Sequence, residues 1–312
     1  MYLQRKLICA LLATLSMCVA SPIHAFELRV QPVIEGIYAL VGETEARTET
    51  NHGLNNTLGF IDTGSSIILV SSGTNADAYD TIMRAIRSIS DKPVRYVFNI
   101  GTQDHHWMGN HYFVAGGAEI IALKKTVDAQ KANVDTQLTR LQQGIRQQVE
   151  SVKPVYATRV IDADRHVLTI DGIRLELIWP GKGHYAGDAV LWLPDSRVMF
   201  SGDFVYMERM LAIHPTSDVA AWQQSFHVIE EMKPQHVIPG HGSPADLAGA
   251  RRDTGNYLDW LTVNVQTAIK DWKEIEETIN ALSDAPQFMH LKHYDSWHRR
   301  NIHQTYLQFE GN

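Results

Sequence analysis

The feature that most constrains the fold is a recurring pattern in which a short apolar run ends in a polar segment rich in Gly, His and Asp. Four such segments occur, at residues 101–110, 180–188, 200–203 and 239–242. Loops at strand ends often carry functional groups because the strands hold them rigidly. The pattern therefore predicts a sheet-based scaffold with one edge that gathers polar side chains.

The rest of the chain predicts an alternation of strands and helices, with two hairpin signals in its second half. The predicted strands are residues 36–41, 58–61, 66–70, 94–100, 166–170, 173–178, 189–193, 198–200 and 237–238. The predicted helices are residues 75–89, 124–149 and 219–232, and the chain after about residue 251 is mostly helical. Two mixed sheets with helices on their outer faces accommodate this order, so we predict an α/β fold.

The first 25 residues have the features of a secretory signal peptide. The basic pair Arg5 and Lys6 precedes an apolar stretch over residues 7–20, and Ala25 ends the segment. The apolar stretch is shorter than the roughly 20 residues that a membrane-spanning helix needs. We therefore predict cleavage after Ala25 and a periplasmic or secreted protein. A retained membrane anchor and a lipoprotein are the alternatives.

The charge and the cysteine content limit which molecules and metal ligands are plausible for this protein. The chain has 28 Lys and Arg against 35 Asp and Glu, and loss of the two basic residues of segment 1–25, which holds no acidic residue, takes the formal charge from −7 to −9. An acidic surface argues against nucleic acid and against anionic membranes. Both cysteines, Cys9 and Cys18, lie in the predicted signal peptide, so a metal must rest on His, Asp, Glu or amide oxygens. We expect a small-molecule substrate, no nucleic acid, and no membrane association after cleavage.

The polar segments resemble the motifs of the metallo-β-lactamase superfamily. The first motif of that family reads His-x-His-x-Asp-His and is followed, two residues later, by Gly-Asn or Gly-Gly. Alignment on residues 109–110 places the last His of the motif on His106 and its Asp on His105. The two leading His positions fall on Gln103 and Gly101.

The later motifs of the family match without a departure, and the resemblance runs over about residues 36–242. The third His, the bridging Asp and the last His fall on His184, Asp203 and His241. Within the superfamily, residues 180–203 and the helical tail are most similar to the exported quinoprotein-relay zinc metallohydrolases. That similarity implies a periplasmic redox system as a partner.

The resemblance implies a four-layer αββα sandwich. We assign residues 26–250 to this domain and residues 251–312 to a C-terminal helical extension. A buried Asp of the family, at the end of an early strand, corresponds by spacing to Ser71. Asp62, which also ends a strand-like run, is expected in an exposed turn instead.

The same resemblance implies one zinc ion. In the family, the two leading His and the third His hold a first ion; Gly101 and Gln103 leave His184 without partners, so we predict that this first position is empty. Three imidazoles and a carboxylate suffice for tetrahedral Zn²⁺ in the second position. The predicted metal-binding set is His105, His106, His241 and Asp203, with His184 beside them.

The implied activity is that of a hydrolase. Zinc would activate water for attack on an ester, lactone, amide or thioester, with His184, Asp203 or Asp104 as base or orienting group. Asp104 is also the alternative ligand, because a one-residue shift of the motif restores an Asp-His pair at residues 104–105. The alternative function is a catalytically degenerate accessory or binding protein of a periplasmic redox system.

Several other histidines are expected to be structural or exposed. His111, His214 and His227 could line the cleft, but we predict surface or helix positions for them. The spacing of His290, His293, His298 and His303 could put them on one helix face, but we predict that they belong to a solvated tail.

Overall fold

The computed structural model describes residues 26–311, and the predicted signal peptide, residues 1–25, lies outside them. The strands of the described chain are β1 (Arg29–Ile34), β2 (Ile37–Val41), β3 (Thr57–Asp62), β4 (Ile67–Val70), β5 (Val94–Phe98), β6 (Glu119–Leu123), β7 (Arg159–Ile161), β8 (Arg165–Ile170), β9 (Ile173–Ile178), β10 (Val190–Leu193), β11 (Val198–Tyr206) and β12 (His236–His241). The α-helices are α1 (Ala76–Arg87), α2 (Asn110–Ala115), α3 (Lys124–Ile145), α4 (Val219–Glu231), α5 (Leu247–Ala250), α6 (Asn256–Lys270), α7 (Ile275–Leu282) and α8 (Tyr294–Glu310).

The strands form two mixed sheets. The seven-stranded sheet follows the chain order from β1 to β7, antiparallel as far as β4 and parallel thereafter. The five-stranded sheet has the order β12-β11-β10-β9-β8, and only its β11–β12 pair is parallel. The predicted hairpin between β8 and β9 is present, and its two turn residues, Asp171 and Gly172, have φ values of 50° and 83°. Such left-handed backbone matches the twist of the paired strands.

Alternating side chains of the strands build the layers of the fold. In β2, Ile37 and Ala39 lie in the core between the two sheets, whereas Leu40 packs in the core that α1 and α2 share with the outer face of the first sheet. The outer face of the second sheet packs against α4, α6 and α8, through residues such as Trp222 and Tyr257. The layers run helix, sheet, sheet, helix, which confirms the predicted αββα sandwich.

Two of the segments predicted as polar loops belong to strands. Residues 200–203 lie in the middle of β11, which is buried along its whole length, and residues 239–241 end β12. Gly240 makes the close pairing of these strands feasible, because a Cβ at that position would lie 2.2 Å from Asp203 Oδ1. The prediction of loops was wrong there because Gly and Pro residues, which usually mark turns, occur here inside paired strands.

Strands β1, β6 and β7 are absent from the sequence-based prediction. β1 and β7 lie at the two edges of the seven-stranded sheet and expose much of their length, so their sequences lack a continuous apolar run. β6 is buried but lies between two helices, where periodicity alone distinguishes it poorly from a helical segment.

The C-terminal helices are continuous with the sandwich. α5 passes through a π-helical turn, Arg251–Gly255, directly into α6, so the boundary predicted at residue 251 falls within one helical run. Side chains of α6 and α8 share a hydrophobic core with β11. Within residues 26–311, no helix combines the length and the apolarity that crossing a bilayer would demand.

Candidate metal centre

Five buried polar side chains meet at one end of the sandwich. Asp203 projects from β11, His241 ends the neighbouring β12, and His184 lies in the connection between β9 and β10. His105 and His106 occupy a 3₁₀ turn after β5. Each of the five is at most 3 % exposed. The sheet edges thus bring together all five residues of the predicted metal-binding set.

The carboxylate of Asp203 is the centre of this cluster. Its Oδ2 lies 3.3 Å from His184 Nδ1 and 3.4 Å from the Nε2 atoms of both His105 and His106, and its Oδ1 lies 3.5 Å from His241 Nε2. Neither carboxylate oxygen accepts a hydrogen bond from the described residues, and the His105, His106 and His184 nitrogens that face it are also without partners. Buried polar atoms are nearly always hydrogen-bonded. A cation among these atoms would supply the missing partner, so the donor set fits a metal.

Three of the five residues form the most compact donor group. One ligand atom each from His105, Asp203 and His241 can be chosen so that all lie within 4.8 Å of one another. Two imidazole nitrogens and a carboxylate oxygen are ordinary Zn²⁺ ligands. His106 Nε2 and His184 Nδ1 both face Asp203 Oδ2. These two histidines could therefore serve as additional ligands or lie beside the ion.

Outer hydrogen bonds orient the imidazoles. His241 Nδ1 donates to the backbone oxygen of Asn55 over 2.7 Å, which leaves Nε2 as the acceptor atom that faces Asp203. His106 Nδ1 lies 2.6 Å from the Ser71 hydroxyl, a contact that orients the ring with its Nε2 toward Asp203. Ser71 is buried at the end of β4, as expected from the spacing. Such outer partners fix ring orientation and tautomer at metal sites.

Asp62 is remote from this centre. It ends β3 at the opposite edge of the sandwich, where its Oδ1 lies 2.7 Å from Lys92 Nζ.

The charge of Asp203 shapes the protonation of its neighbours. Burial acts to raise the pKa of Asp203, but His105, His106 and His184 together hold that pKa well below its usual value. Burial acts to lower the pKa of His184, but Asp203 and Asp188 raise it to about 9. The centre therefore contains an ionised carboxylate that attracts positive charge.

The pKa of His241 is lowered, whereas that of His184 is raised. Burial, reinforced by the nearby Arg209 guanidinium, holds the pKa of His241 well below its usual value. Burial also lowers the pKa of His105. Both rings are neutral at physiological pH, which is the state in which an imidazole binds a metal.

Asp104 points away from the centre. Its Oδ2 lies 2.7 Å from Arg47 Nη1, and its Oδ1 lies 3.7 Å from His105 Nδ1. The shifted alignment would place an Asp-His pair at residues 104–105 on the metal. In the structure the two imidazoles of the turn face Asp203, while Asp104 lies on the other side of the His105 ring and makes no hydrogen bond to it.

The two leading motif positions contribute no ligand. Gly101 has no side chain, and the ring of His106 fills the space that one would need: a Cβ at residue 101 would lie 2.0 Å from His106 Cδ2. Gln103 lines the cleft that opens beside the centre. The glycine and the adjacent imidazole are thus complementary in shape.

A cleft beside His241 includes residues that the sequence analysis did not identify. It is lined by Ala46, Arg47, Asn55, Gln103, Tyr206, Arg209, Ala212, His214, His241 and Trp297. His214 is half-buried and lines this cleft, which is the alternative to the predicted surface or helix position, and its ring lies 5.2 Å from that of His184. No local sequence signal marks Arg47, Arg209 or Trp297, because they come from distant segments.

The expectation of a solvated tail is wrong for His298 and His293, whereas His290 is exposed as predicted. His298 is 1 % exposed, and its two ring nitrogens lie 2.9 Å from the Tyr257 hydroxyl and the Leu282 backbone oxygen. His293 Nε2 donates to the backbone oxygen of Thr44 over 2.9 Å. Both histidines anchor α8 against the rest of the molecule.

Known proteins share this sequence pattern and fold. The family model of the metallo-beta-lactamase superfamily matches residues 106–241. A beta-lactamase-like protein 2 homolog of Caenorhabditis elegans is 25% identical over 218 residues, which cover 70% of this chain and 65% of that protein. A metallo-beta-lactamase type 2 of Bacteroides fragilis is 30% identical over 83 residues, 25% of this chain and 33% of that enzyme. This chain thus spans less than two thirds of the length of either relative.

Solved structures show the same architecture. The sec-alkylsulfatase Pisa1 from Pseudomonas sp. superposes with a TM-score of 0.73 at 17% identity, covering 91% of this chain and 50% of that one. A metallo-beta-lactamase from Pontibacter korlensis superposes with a TM-score of 0.59 at 19% identity, covering 75% of this chain and 99% of that one.

Proposed function

Because this chain belongs to the metallo-β-lactamase superfamily, we propose that it is a zinc-dependent hydrolase with one ion held by His105, Asp203 and His241. The substrate is a small molecule with an ester, lactone, amide or thioester bond. The observation that supports this most directly is the buried carboxylate of Asp203, which faces four imidazoles with both oxygens free of hydrogen bonds.

Zinc bound there would supply a water whose pKa is lowered to about 7, a nucleophile at neutral pH. The protein's own groups would bind and orient the reactants around it. Asp203 keeps its negative charge because the surrounding imidazoles lower its pKa, so it could accept a hydrogen bond from a water bound there. The cleft beside His241 admits the substrate to this point.

In this proposal Tyr206 and His184 supply the proton that the leaving atom needs. The Tyr206 hydroxyl lies 3.3 Å from His184 Nε2, and its ring stacks on His241 with centroids 4.5 Å apart. Burial, together with the nearby charge of Asp203, raises the pKa of Tyr206 well above its usual value, so the hydroxyl stays protonated. In this proposal Tyr206 donates to the leaving atom, and His184 restores the proton.

Metal content and hydrolysis test the proposal together. Purified protein is analysed for metal by mass spectrometry before and after zinc addition, and then assayed against a panel of esters, lactones, amides and thioesters. His105→Ala and His241→Ala should lose both zinc and activity, whereas the matched variant His227→Ala, on the outer helix α4, should retain both. Less than about a tenth of an equivalent of zinc, unchanged by added Zn²⁺, overturns the proposal and favours a metal-free accessory protein.

Export forms a second part of the proposal. Residues 1–25 read as a cleavable signal, so we place the mature protein in the periplasm or outside the cell, where a redox partner could meet it. N-terminal sequencing of protein from fractionated cells should begin at Phe26. An intact N-terminus in the cytoplasmic fraction would contradict this part while leaving the zinc proposal untouched.

A further inference from the structure

The end of β11 lacks a neighbouring strand on one of its two sides. β12 pairs with β11 as far as Tyr206, whereas β10 pairs with β11 only at residues 198–200. On the β12 side, the Met207 N–H donates to His241 O over 2.9 Å. The N–H and the carbonyl of Tyr206 lie on the other side, where β10 no longer runs alongside. Buried backbone groups of this kind still require hydrogen-bond partners.

A single hydroxyl takes the place of the missing strand. Thr254 Oγ1 accepts a hydrogen bond from the Tyr206 N–H over 2.9 Å and donates one to Tyr206 O over 2.6 Å. A hydroxyl can do both because it carries one proton and two lone pairs. Thr254 is fully buried, so both bonds form away from solvent. One side chain of the C-terminal helices thus holds the backbone of Tyr206.

Thr254 belongs to the π-helical turn Arg251–Gly255, and its neighbour in that turn holds the next part of the chain. Asp253 Oδ2 accepts a hydrogen bond from the Glu208 N–H over 3.0 Å. Glu208 has a φ of 63°, a left-handed conformation that residues other than glycine rarely adopt. π-Helical turns are rare and frequently occur at functional sites. Two consecutive side chains of this turn therefore fix the segment that begins with Tyr206.

The π-helical turn is itself packed closely against its surroundings. A Cβ at Gly255 would lie 2.4 Å from Phe226 Cε1 of α4, so the backbone of the turn lies directly on that ring. Asp253 Oδ1 lies 3.1 Å from His290 Nε2, in the segment before α8. The turn is held from both sides and can serve as a rigid support.

Tyr206 connects this support to the metal centre. Its ring stacks on that of His241, with centroids 4.5 Å apart and an angle of 29° between the planes. Its hydroxyl lies 3.3 Å from His184 Nε2. One side chain therefore contacts two of the five residues of the centre, and a shift of its backbone would change both contacts together.

We propose that Thr254 is a positioning residue of the metal centre, because its hydroxyl fixes the backbone of Tyr206 and thereby the ring that contacts His241 and His184. The consequence for catalysis rests on the function proposed above, whereas the positioning itself does not. Without the hydroxyl, the N–H and the carbonyl of Tyr206 would be buried and unpartnered, which is costly. A backbone shift or an entering water would relieve that cost and displace the Tyr206 ring.

Nuclear magnetic resonance of the metal-free mature protein tests the positioning independently of zinc and of catalysis. Thr254→Val keeps the shape of the side chain but lacks the hydroxyl, and Thr254→Ser keeps the hydroxyl. Thr262→Val is the matched control, since Thr262 is a buried threonine of α6 whose hydroxyl has no partner among residues 26–311. The readouts are amide hydrogen exchange at Tyr206 and the aromatic proton resonances of His241, which the stacked ring shifts.

We expect Thr254→Val to accelerate amide exchange at Tyr206 at least about tenfold and to shift the His241 resonances. Thr254→Ser should restore both, and Thr262→Val should change neither. Faster exchange with unchanged His241 resonances would show that Thr254 only stabilises the backbone, and it overturns the proposal, as do unchanged exchange or equal changes in Thr262→Val. Should Thr254→Val not fold, Thr254→Ala is measured against the same expectations.

The zinc-loaded protein then tests the consequence for catalysis. Thr254→Val should lower zinc affinity about tenfold and kcat about 10–100-fold, with KM unchanged because Thr254 does not line the cleft. The double variant Thr254→Val with Tyr206→Phe should be no slower than Tyr206→Phe alone, since both act through one hydroxyl. Additive losses would contradict an effect through Tyr206. Absence of zinc binding and hydrolysis in the wild type would contradict only the function proposed above, and the resonance measurements would still decide the positioning.

Discussion

Each end of the sandwich presents an aspartate. One of them has hydrogen-bond partners that hold the fold together, and the other faces the imidazoles of the candidate metal centre. At one end, Asp171 Oδ2 accepts hydrogen bonds from the hydroxyls of Thr63, Ser65 and Ser66 over 2.6–2.8 Å, and these bonds lower its pKa. At the other end, Asp203 is buried and accepts none from residues 26–311. The first carboxylate ties a hairpin to a turn. The second carboxylate faces four imidazoles, and a metal ion among them would supply the partner that its oxygens lack.

The largest expected effect comes from removing each carboxylate in turn. Asp203→Asn should lower zinc affinity by more than the roughly 10–100-fold typical of outer-sphere partners, because it removes a direct ligand. It should abolish hydrolysis as well. Asp171→Asn should leave zinc content and activity unchanged, because its three hydroxyl partners lie at the opposite end. A zinc titration of both variants measures this difference. Equal zinc affinities would contradict the assignment of different roles to the two aspartates.

The next largest difference is expected between alanine substitutions of two glycines, one at each end of the sandwich. Gly101→Ala should cost about 1–3 kcal/mol of unfolding free energy, since its Cβ would collide with His106, and it should weaken zinc binding. Gly64→Ala meets open space and strains only the backbone at φ +93°, so about 1 kcal/mol is expected with zinc binding intact.

Denaturant unfolding and zinc titration of the two glycine variants check this contrast. Normal zinc affinity in Gly101→Ala would show that the ring of His106 can move away from its present position without consequence for the metal.

Substitution of two serines tests whether the hydrogen-bond partners of the proposed ligands affect zinc binding. Ser71→Ala removes the partner of His106 Nδ1 and should lower zinc affinity about 10–100-fold. Ser66→Ala removes a hydroxyl that donates to Asp171 and should leave zinc affinity unchanged. Competition with a chelating dye measures both affinities. A matching loss in the two variants would point to a general change in stability instead.

The smallest expected effect concerns acid sensitivity at the Asp203 end. Burial, with the nearby His184, lowers the pKa of His214 to about 3. The unfolded chain, with a His pKa near 6.5, binds the proton first, so the stability that depends on neutral His214 is lost as the pH falls below about 6.5.

Replacement of His214 isolates this contribution. Between pH 6.5 and 5, wild-type protein should lose on the order of 1.5 kcal/mol more unfolding free energy than His214→Gln. Urea unfolding of metal-free protein at several pH values measures the difference. A constant difference across this range would show that His214 is solvated rather than buried.

Much of the fold was predictable because its rules are local. The run at residues 66–70 became β4, the helical spacing at residues 75–89 became α1, and Asp171-Gly172 formed its hairpin turn, since apolar periodicity and turn chemistry act over a few residues. Asn75 is the N-cap of α1, and its side chain accepts from the Ala78 N–H. The exposed edge strands β1 and β7 were not predictable in this way.

The resemblance to the family's motifs was enough to predict Asp203 and the four histidines that face it, because motif order and spacing place each of them at or near the end of a strand. The folded structure was needed to show which nitrogen of each imidazole faces the carboxylate, why residue 101 has no room for a side chain, and that the Trp297 ring lies 4.9 Å from Arg209 Cζ. The physical reason is separation along the chain. Residues 88 positions apart meet only when the C-terminal helices pack on β11, and no local pattern records such a contact.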